Sequence, residues 1–267
     1  MIIIAEKING TRKAVKEAVM ARNVAYLTAL TLEQAEAGAD YIDINAGTSP
    51  DRETEDMLWL IDLVQGLTEL PICIDSSNPV TLAKALDHVE RLPIVNSINA
   101  DPARLESFLP LISERGCPVV ALSLDESTSG MPKDTAERMD NIARVVAATR
   151  AAGIADEQLF IDPLVMSVGT DTNAGLESLD CIRQIKETYP EAHITGGLSN
   201  ISYGLPNREL INRTFLTLAM MLGMDSAICN PNNVALIESI KATDMLLGKD
   251  RFCRNYTTAA KAGFDKL

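Results

Sequence analysis

The sequence is poor in the side chains on which most metal and nucleophilic chemistry is built. Only two histidines, His88 and His193, occur in 267 residues. Neither lies near a second ligand type at helical spacing, so a zinc site is hard to assemble and no bound metal is expected. The five cysteines, Cys73, Cys117, Cys181, Cys229 and Cys253, are odd in number and form no C-x-x-C pair. That disfavours a zinc ribbon or a disulfide framework and suits a reducing cytoplasm. The longest apolar stretch, 214–224, falls short of the roughly 20 residues that span a bilayer. The opening MIIIAEKING lacks the basic segment and apolar length of a signal peptide. No G-x-G-x-x-G, G-x-x-x-x-G-K-[ST] or G-x-S-x-G occurs, so neither a nucleotide cradle nor a nucleophile elbow is signalled.

Positive charge is also scarce. Lys and Arg total 24 against 37 Asp and Glu, a formal net charge of −13. Such a surface repels phosphate backbones and anionic lipid, which argues against nucleic acid and membrane partners. It leaves room for a small anion, which needs only local basic groups. With 46% hydrophobic and 23% charged residues, the chain has enough apolar material for a sizeable core.

Short apolar, β-branched-rich runs recur at 2–5, 41–45, 72–75, 94–97, 119–122, 159–162, 193–196 and 227–229. Apolar on both faces, they read as strands of a buried parallel sheet. Helix-period segments separate most of them, at 54–66, 79–90, 103–115, 135–152, 175–188, 208–222 and 233–247. Asn78-Pro79 and Asp101-Pro102 signal helix starts, and Asp134 with Glu137 resembles a capping box. Eight alternating units without a linker-like segment favour a single (β/α)8, or TIM, barrel domain over 1–267, rather than an open doubly wound sheet.

Nearly every strand ends in polar groups: Glu6, Lys7 and Asn9; Asp43 and Asn45; Asp75 and Ser76; Asn96 and Asn99; Ser123 and Asp125; Asp162; Ser199 and Asn200; Asn230 and Asn232. In a barrel these ends converge on the catalytic face, and the long connections at 123–133, 163–174 and 197–207 fall on the same side. Asp and Asn suit a ligand with fixed donors and acceptors, such as an aminopyrimidinone edge. Many such residues only cap the next helix, and Asn78, Asp101 and Asn232 are expected to do so. Asp75 stands ahead of Ser-Ser-Asn. Asp162 precedes Pro163, which enforces extended backbone. Both are therefore better ligand candidates. Met220, Met221 and Met224 read as core, His193 as structural, and His88 as a surface or helix-end residue.

The motifs AEKING, DINAG, CIDSSN, IVNSINA, IDPLV, GGLSN and NRELINRTF, in that order, resemble the pterin-binding methyltransferases. Within them the similarity is to the methyltetrahydrofolate:corrinoid protein methyltransferases of acetogenesis and anaerobic demethylation. It extends from Met1 to about Phe252. The resemblance implies a TIM barrel that moves a methyl group between nitrogen 5 of tetrahydrofolate and the cobalt of a separate corrinoid protein, in either direction. It also implies that Asp75, Asn96 and Asp162 hold the pterin. Asn200 would reach nitrogen 5, with Gly196, Ser199 and Arg208 lining the pocket. Asp43 and Asn45 would lie nearby, and Lys133 on the loop after the fifth strand. The family further implies a homodimer and a transient corrinoid partner.

Two other readings compete. Dihydropteroate synthase resembles the same barrel but carries basic residues after its seventh strand for a pyrophosphate leaving group, where this chain has Gly197-Leu198-Ser199-Asn200-Ile201-Ser202. A non-catalytic folate-binding subunit would need the same pocket without turnover.

Overall fold

The computed structural model describes residues 1–128 and 130–263. The strands are β1 (Ile2–Asn9), β2 (Tyr41–Asn45), β3 (Ile72–Asp75), β4 (Ile94–Ile98), β5 (Val119–Leu122), β6 (Leu159–Asp162), β7 (His193–Ile194) and β8 (Ser226–Cys229). Every pairing is parallel, in the order β7-β6-β5-β4-β3-β2-β1-β8. The bridge between Gly197 and Ile228 and the bond from Ile228 N–H to Gly196 C=O join the two ends. The expected TIM barrel is therefore the fold.

Strand parity explains both of its cores. Side chains alternate between the two faces of a strand. Ile4, Cys73, Ile94, Val120 and Phe160 point inward and fill the barrel's base. Ile3, Ile42, Ile44, Ile74, Val95, Val119 and Ile161 point outward against the helices. His193 stacks on Phe160 with ring centroids 4.7 Å apart, and its Nδ1 lies 2.8 Å from Asp225 Oδ2. It is a structural histidine at the base of the barrel. His88 ends its helix and meets Asp62 at 2.7 Å.

The helices are α1 (Lys13–Met20), α2 (Val24–Glu36), α3 (Pro50–Gln65), α4 (Pro79–His88), α5 (Pro102–Arg115), α6 (Thr135–Ala151), α7 (Ala174–Thr188), α8 (Arg208–Met221), α9 (Val234–Leu246) and α10 (Arg254–Ala262). The first connection holds two helices that the sequence pattern leaves unassigned. Asn78 and Asp101 cap α4 and α5 as expected, and Asp134 caps α6. Asn232 does not cap α9. Asn233 does, while the Asn232 amide donates to Glu33 C=O across the chain. Met220 and Met224 are buried, but Met221 is 69% exposed because it faces outward on α8. β1 runs four residues beyond the apolar run that announces it, because after a register shift that holds Glu6 and Lys7 the pairing with β2 resumes at Ile8 and Asn9. β7, in contrast, is only two residues long.

The five cysteines are free thiols, and only Cys253 is exposed. Among the described residues no helix is long and apolar enough to cross a membrane.

The loops after β1 and β2 meet backbone to backbone. A Cβ on Gly10 would lie 2.2 Å from Ala46 C=O, and one on Gly47 would lie 2.3 Å from the Gly10 carbonyl carbon. Gly47 also has φ of 59°, a region that L side chains rarely adopt. Gly10→Ala must push two loop backbones apart, and overpacking of this kind costs about 1–3 kcal/mol. Urea denaturation of this variant is expected to give an unfolding free energy lower by that amount, seen as a lower midpoint with an unchanged slope.

Candidate active site

A cavity of about 300 Å³ opens at the carboxyl end of the barrel. Glu6, Asp43, Asp75 and Asn96 form its strand wall, and Gly197, Ser199 and Asn200 close it from the turn after β7. Asn9, Thr11 and Arg12 complete the rim from the loop after β1. Its volume lies at the lower end of the roughly 300–1,000 Å³ of small-molecule sites.

The polar wall follows from the parity that fills the base. Ile4 and Glu6, two residues apart, share the inner face of β1. Tyr41, Asp43 and Asn45 do so on β2, Cys73 and Asp75 on β3, and Ile94 and Asn96 on β4. Register places Asp43 beside Cys73 and Asp75 beside Asn96. The Asn96 amide donates to Asp43 Oδ1 at 3.2 Å, and Asn45 bonds the Asp75 carboxylate.

Packing carboxylates together away from water favours their protonated forms. Burial, reinforced by Asp75, raises Asp43 to about 8 despite hydrogen bonds from Cys73 and Asn96. Burial also raises Asp75, against the Asn45 bond. Glu6 is raised by burial and partly offset by Arg12 and Arg208. Perturbed carboxylates gathered in one cleft mark a functional site.

Asp162 stands behind this cavity. Its Oδ1 accepts the Leu164 N–H at 2.7 Å, and its carboxylate also accepts the Gly197 N–H. Leu164 adopts φ of 58° to make that return. Burial raises Asp162 to about 6, with those two bonds and Arg138 opposing. Gly196 packs against it, where a Cβ would lie 3.5 Å from Asp162 Oδ1. Asp162 and Gly196 thus sit at the seam between the loops after β6 and β7.

Arg208 lies outside the cavity wall. Its Nη2 donates to Ser199 C=O at 2.5 Å and its Nε to Ser202 Oγ at 3.1 Å. It holds the 3-10 turn Leu198–Ser202 that presents Asn200. Gly197 makes room for that amide, since a Cβ there would come within 3.1 Å of Asn200 Nδ2. Among the described residues the Asn200 side chain has no partner and stands ready for a ligand. Lys133 is exposed, and its N–H donates to Glu137 Oε2. The structure does not bring it to the cavity.

Sequence reasoning names Asp43, Asp75, Asn96, Ser199 and Asn200 of this wall, places Glu6 and Asn9 at the mouth without a role, and does not single out Thr11, Arg12, Gly197 or Ile228 as site residues. The available signal was Glu6 at even spacing from Ile2 and Ile4. Several other strand-end groups prove to be structural. Ser76 and Asn78 bond Glu53, Asn99 accepts from Asp101 N–H, and Asp125 holds Ser127 and Arg144. Among the described residues no group of three or more His, Cys, Asp and Glu is arranged to hold a metal ion.

A family model described as pterin binding enzyme matches residues 5–230, and the chain belongs to that family. It is 38% identical over 263 residues to the methylcorrinoid:tetrahydrofolate methyltransferase of Eubacterium limosum, covering 98% of this chain and 97% of that protein. It is also 28% identical to the methionine synthase of Mycobacterium leprae and 27% to that of Mycobacterium tuberculosis, and spans 21% of the length of each. Among solved structures, dihydropteroate synthase of Xanthomonas albilineans with 4-aminobenzoic acid superposes with a TM-score of 0.70 at 21% identity. That match covers 93% of this chain and 92% of the other. The dihydropteroate synthase of Vibrio fischeri gives 0.68 at 16% identity, over 93% of each chain. At these identities the likeness is one of fold.

Asp43 generates a stability prediction. Burial raises its pKa to about 8 in the folded protein, against an ordinary carboxylate value of 3.8. The native state therefore holds a proton that the unfolded chain releases between those values. The contribution of Asp43 to stability is full below about pH 4 and is lost as pH rises through about 8. Asp43→Asn removes that titration, so urea midpoints measured from pH 5 to 9 should fall less steeply with pH than in the wild type.

Proposed function

We propose that this protein transfers a methyl group from the cobalt of a methylated corrinoid, carried by a separate protein, to nitrogen 5 of tetrahydrofolate. The observation that carries this reading is the convergence of Asp75, Asn96 and Asn200 on one cavity at the barrel mouth. Membership of the pterin-binding family supports it. So does the near full-length likeness to a methyltransferase whose name states this reaction. We further propose that the chain acts as one barrel domain over 1–267, of which 129 and 264–267 lie outside the described residues. It would work in the cytoplasm as a homodimer, with folate as substrate and no metal of its own.

In this reading Asp75 and Asn96 take the aminopyrimidinone edge. A carboxylate accepts the ring N–H and amino donors, and an amide pairs with the carbonyl side. Asp162 and Gly196 bound the ring on the side of β6 and β7. Asp43 and Asn45 brace Asn96 and Asp75 through the bonds already described. Ser199 and Arg208 hold the turn, and Asn200 meets nitrogen 5. The nitrogen lone pair attacks the methyl carbon in line, so positive charge develops on nitrogen 5. The Asn200 carbonyl oxygen accepts the N5–H, and that bond strengthens as the charge grows.

Tetrahydrofolate and methylcobalamin mixed with the purified protein should give 5-methyltetrahydrofolate with loss of the methylcobalamin spectrum. Absence of transfer, also with added corrinoid protein, would exclude the reading. Asp75→Ala leaves pterin donors unpaired and should weaken folate binding by about 1–3 kcal/mol in calorimetry. Asn200→Ala should slow the chemical step more than it weakens binding. Equal losses in rate and affinity would reduce Asn200 to an anchor.

A further inference from the structure

An amide can accept the N5–H, but it cannot keep the proton. As the nitrogen becomes a methylated ammonium, a basic group must stand within reach of Asn200 or nitrogen 5, directly or through one water. Three carboxylates face the cavity: Glu6, Asp43 and Asp75. Asp43 and Asp75 are held by Asn96, Cys73 and Asn45. They lie on strands three and four places from β7 around the closed barrel. Glu6 is placed differently. β1 is separated from β7 only by β8. Glu6 also shares a second, smaller pocket of about 40 Å³ with Ser199, the residue before Asn200. Among the described residues its one hydrogen-bond partner is Arg12, at 3.4 Å, which leaves carboxylate capacity free toward the cavity.

We propose that Glu6 accepts the proton of nitrogen 5 as the methyl group arrives, and returns it when the reaction runs backwards. The assignment rests on the methyl-transfer reading. The nitrogen lone pair forms the N–C bond. The carbon–cobalt bond breaks with both electrons left on cobalt, reducing it from cobalt(III) to cobalt(I). The N5 proton passes across the shared cavity, directly or through one water, to the Glu6 carboxylate and then to solvent at the mouth.

The charges around Glu6 fit this task. Arg12 follows on its own side of the rim, and Arg208 faces it from α8. Asp43 faces it from β2 and the buried Cys229 thiol from β8. Lys7 turns the other way, toward Glu33. The two arginines keep a buried carboxylate able to ionise, while burial keeps it basic enough to take a proton.

Transfer from methylcobalamin to tetrahydrofolate requires ionised Glu6, so its rate should rise with pH through the Glu6 titration. Glu6→Gln should bind tetrahydrofolate within about threefold of wild type, lose about 100-fold in rate and lose the rising limb, in the range found for general bases. Glu6→Asp should keep the limb at an intermediate rate. Arg12→Gln removes an opposing charge and should move the limb to higher pH. It decides the matter if Glu6→Gln does not fold. A wild-type rate and limb in Glu6→Gln, equal losses of affinity and rate, or an unmoved limb in Arg12→Gln would overturn the assignment while wild-type turnover stands. A wild type that transfers no methyl group overturns the underlying reading, and this one with it.

Discussion

The site depends on the two-residue alternation of a parallel strand that is buried on both sides. One face of each strand must supply the layer beneath the helices, so the other face alone is available to the barrel interior. At the amino ends that inner face is apolar and packs shut, with Phe160 and Ile94 among its members. Two residues further along it becomes Glu6, Asp43, Asp75 and Asn96. No loop need be ordered to bring these groups together. The spacing of Asp43, Asp75 and Asn96 is set by hydrogen-bonded register, while Glu6 sits at the register shift of β1.

That economy has an electrostatic cost. Three carboxylates share a poorly solvated wall, and their affinity for protons rises together. The protein offsets part of it locally, with Asn45 on Asp75, Asn96 on Asp43, and two arginines near Glu6. The strongly acidic chain thus keeps guanidinium groups where the site needs them. A ligand rich in N–H donors relieves the same crowding, so binding and electrostatic relief act in one direction.

The barrel was legible because its signals are local and repeated. Apolar runs of fixed length, capping residues before prolines, and polar strand ends all follow from short-range physics. Asp75, Asn96 and Asn200 were legible through motifs. Glu6 was legible as a strand-end group but not in its role, and Arg12 was not legible at all, because their importance comes from the closure of β8 onto β7, a contact between distant parts of the chain. Asn232 was misread for a smaller reason: two adjacent asparagines can each cap a helix, and only the bond to Leu236 N–H distinguishes Asn233. Lys133 carried a motif position but not a place in the wall, since its loop turns outward toward α6.

The interlocked glycines give the mouth two unequal lips. Gly10 and Gly47 fuse the loops after β1 and β2 into a single ledge in which neither backbone has room to shift. Among the described residues the connections after β5 and β6 show no such glycine lock, and they are several residues longer. Lineages of this enzyme that adapt to bulkier ligands or different docking proteins can remodel the second lip more freely than the first. Insertions and deletions should therefore accumulate after β5 and β6, while the ledge beside Glu6 keeps its length and its paired glycines.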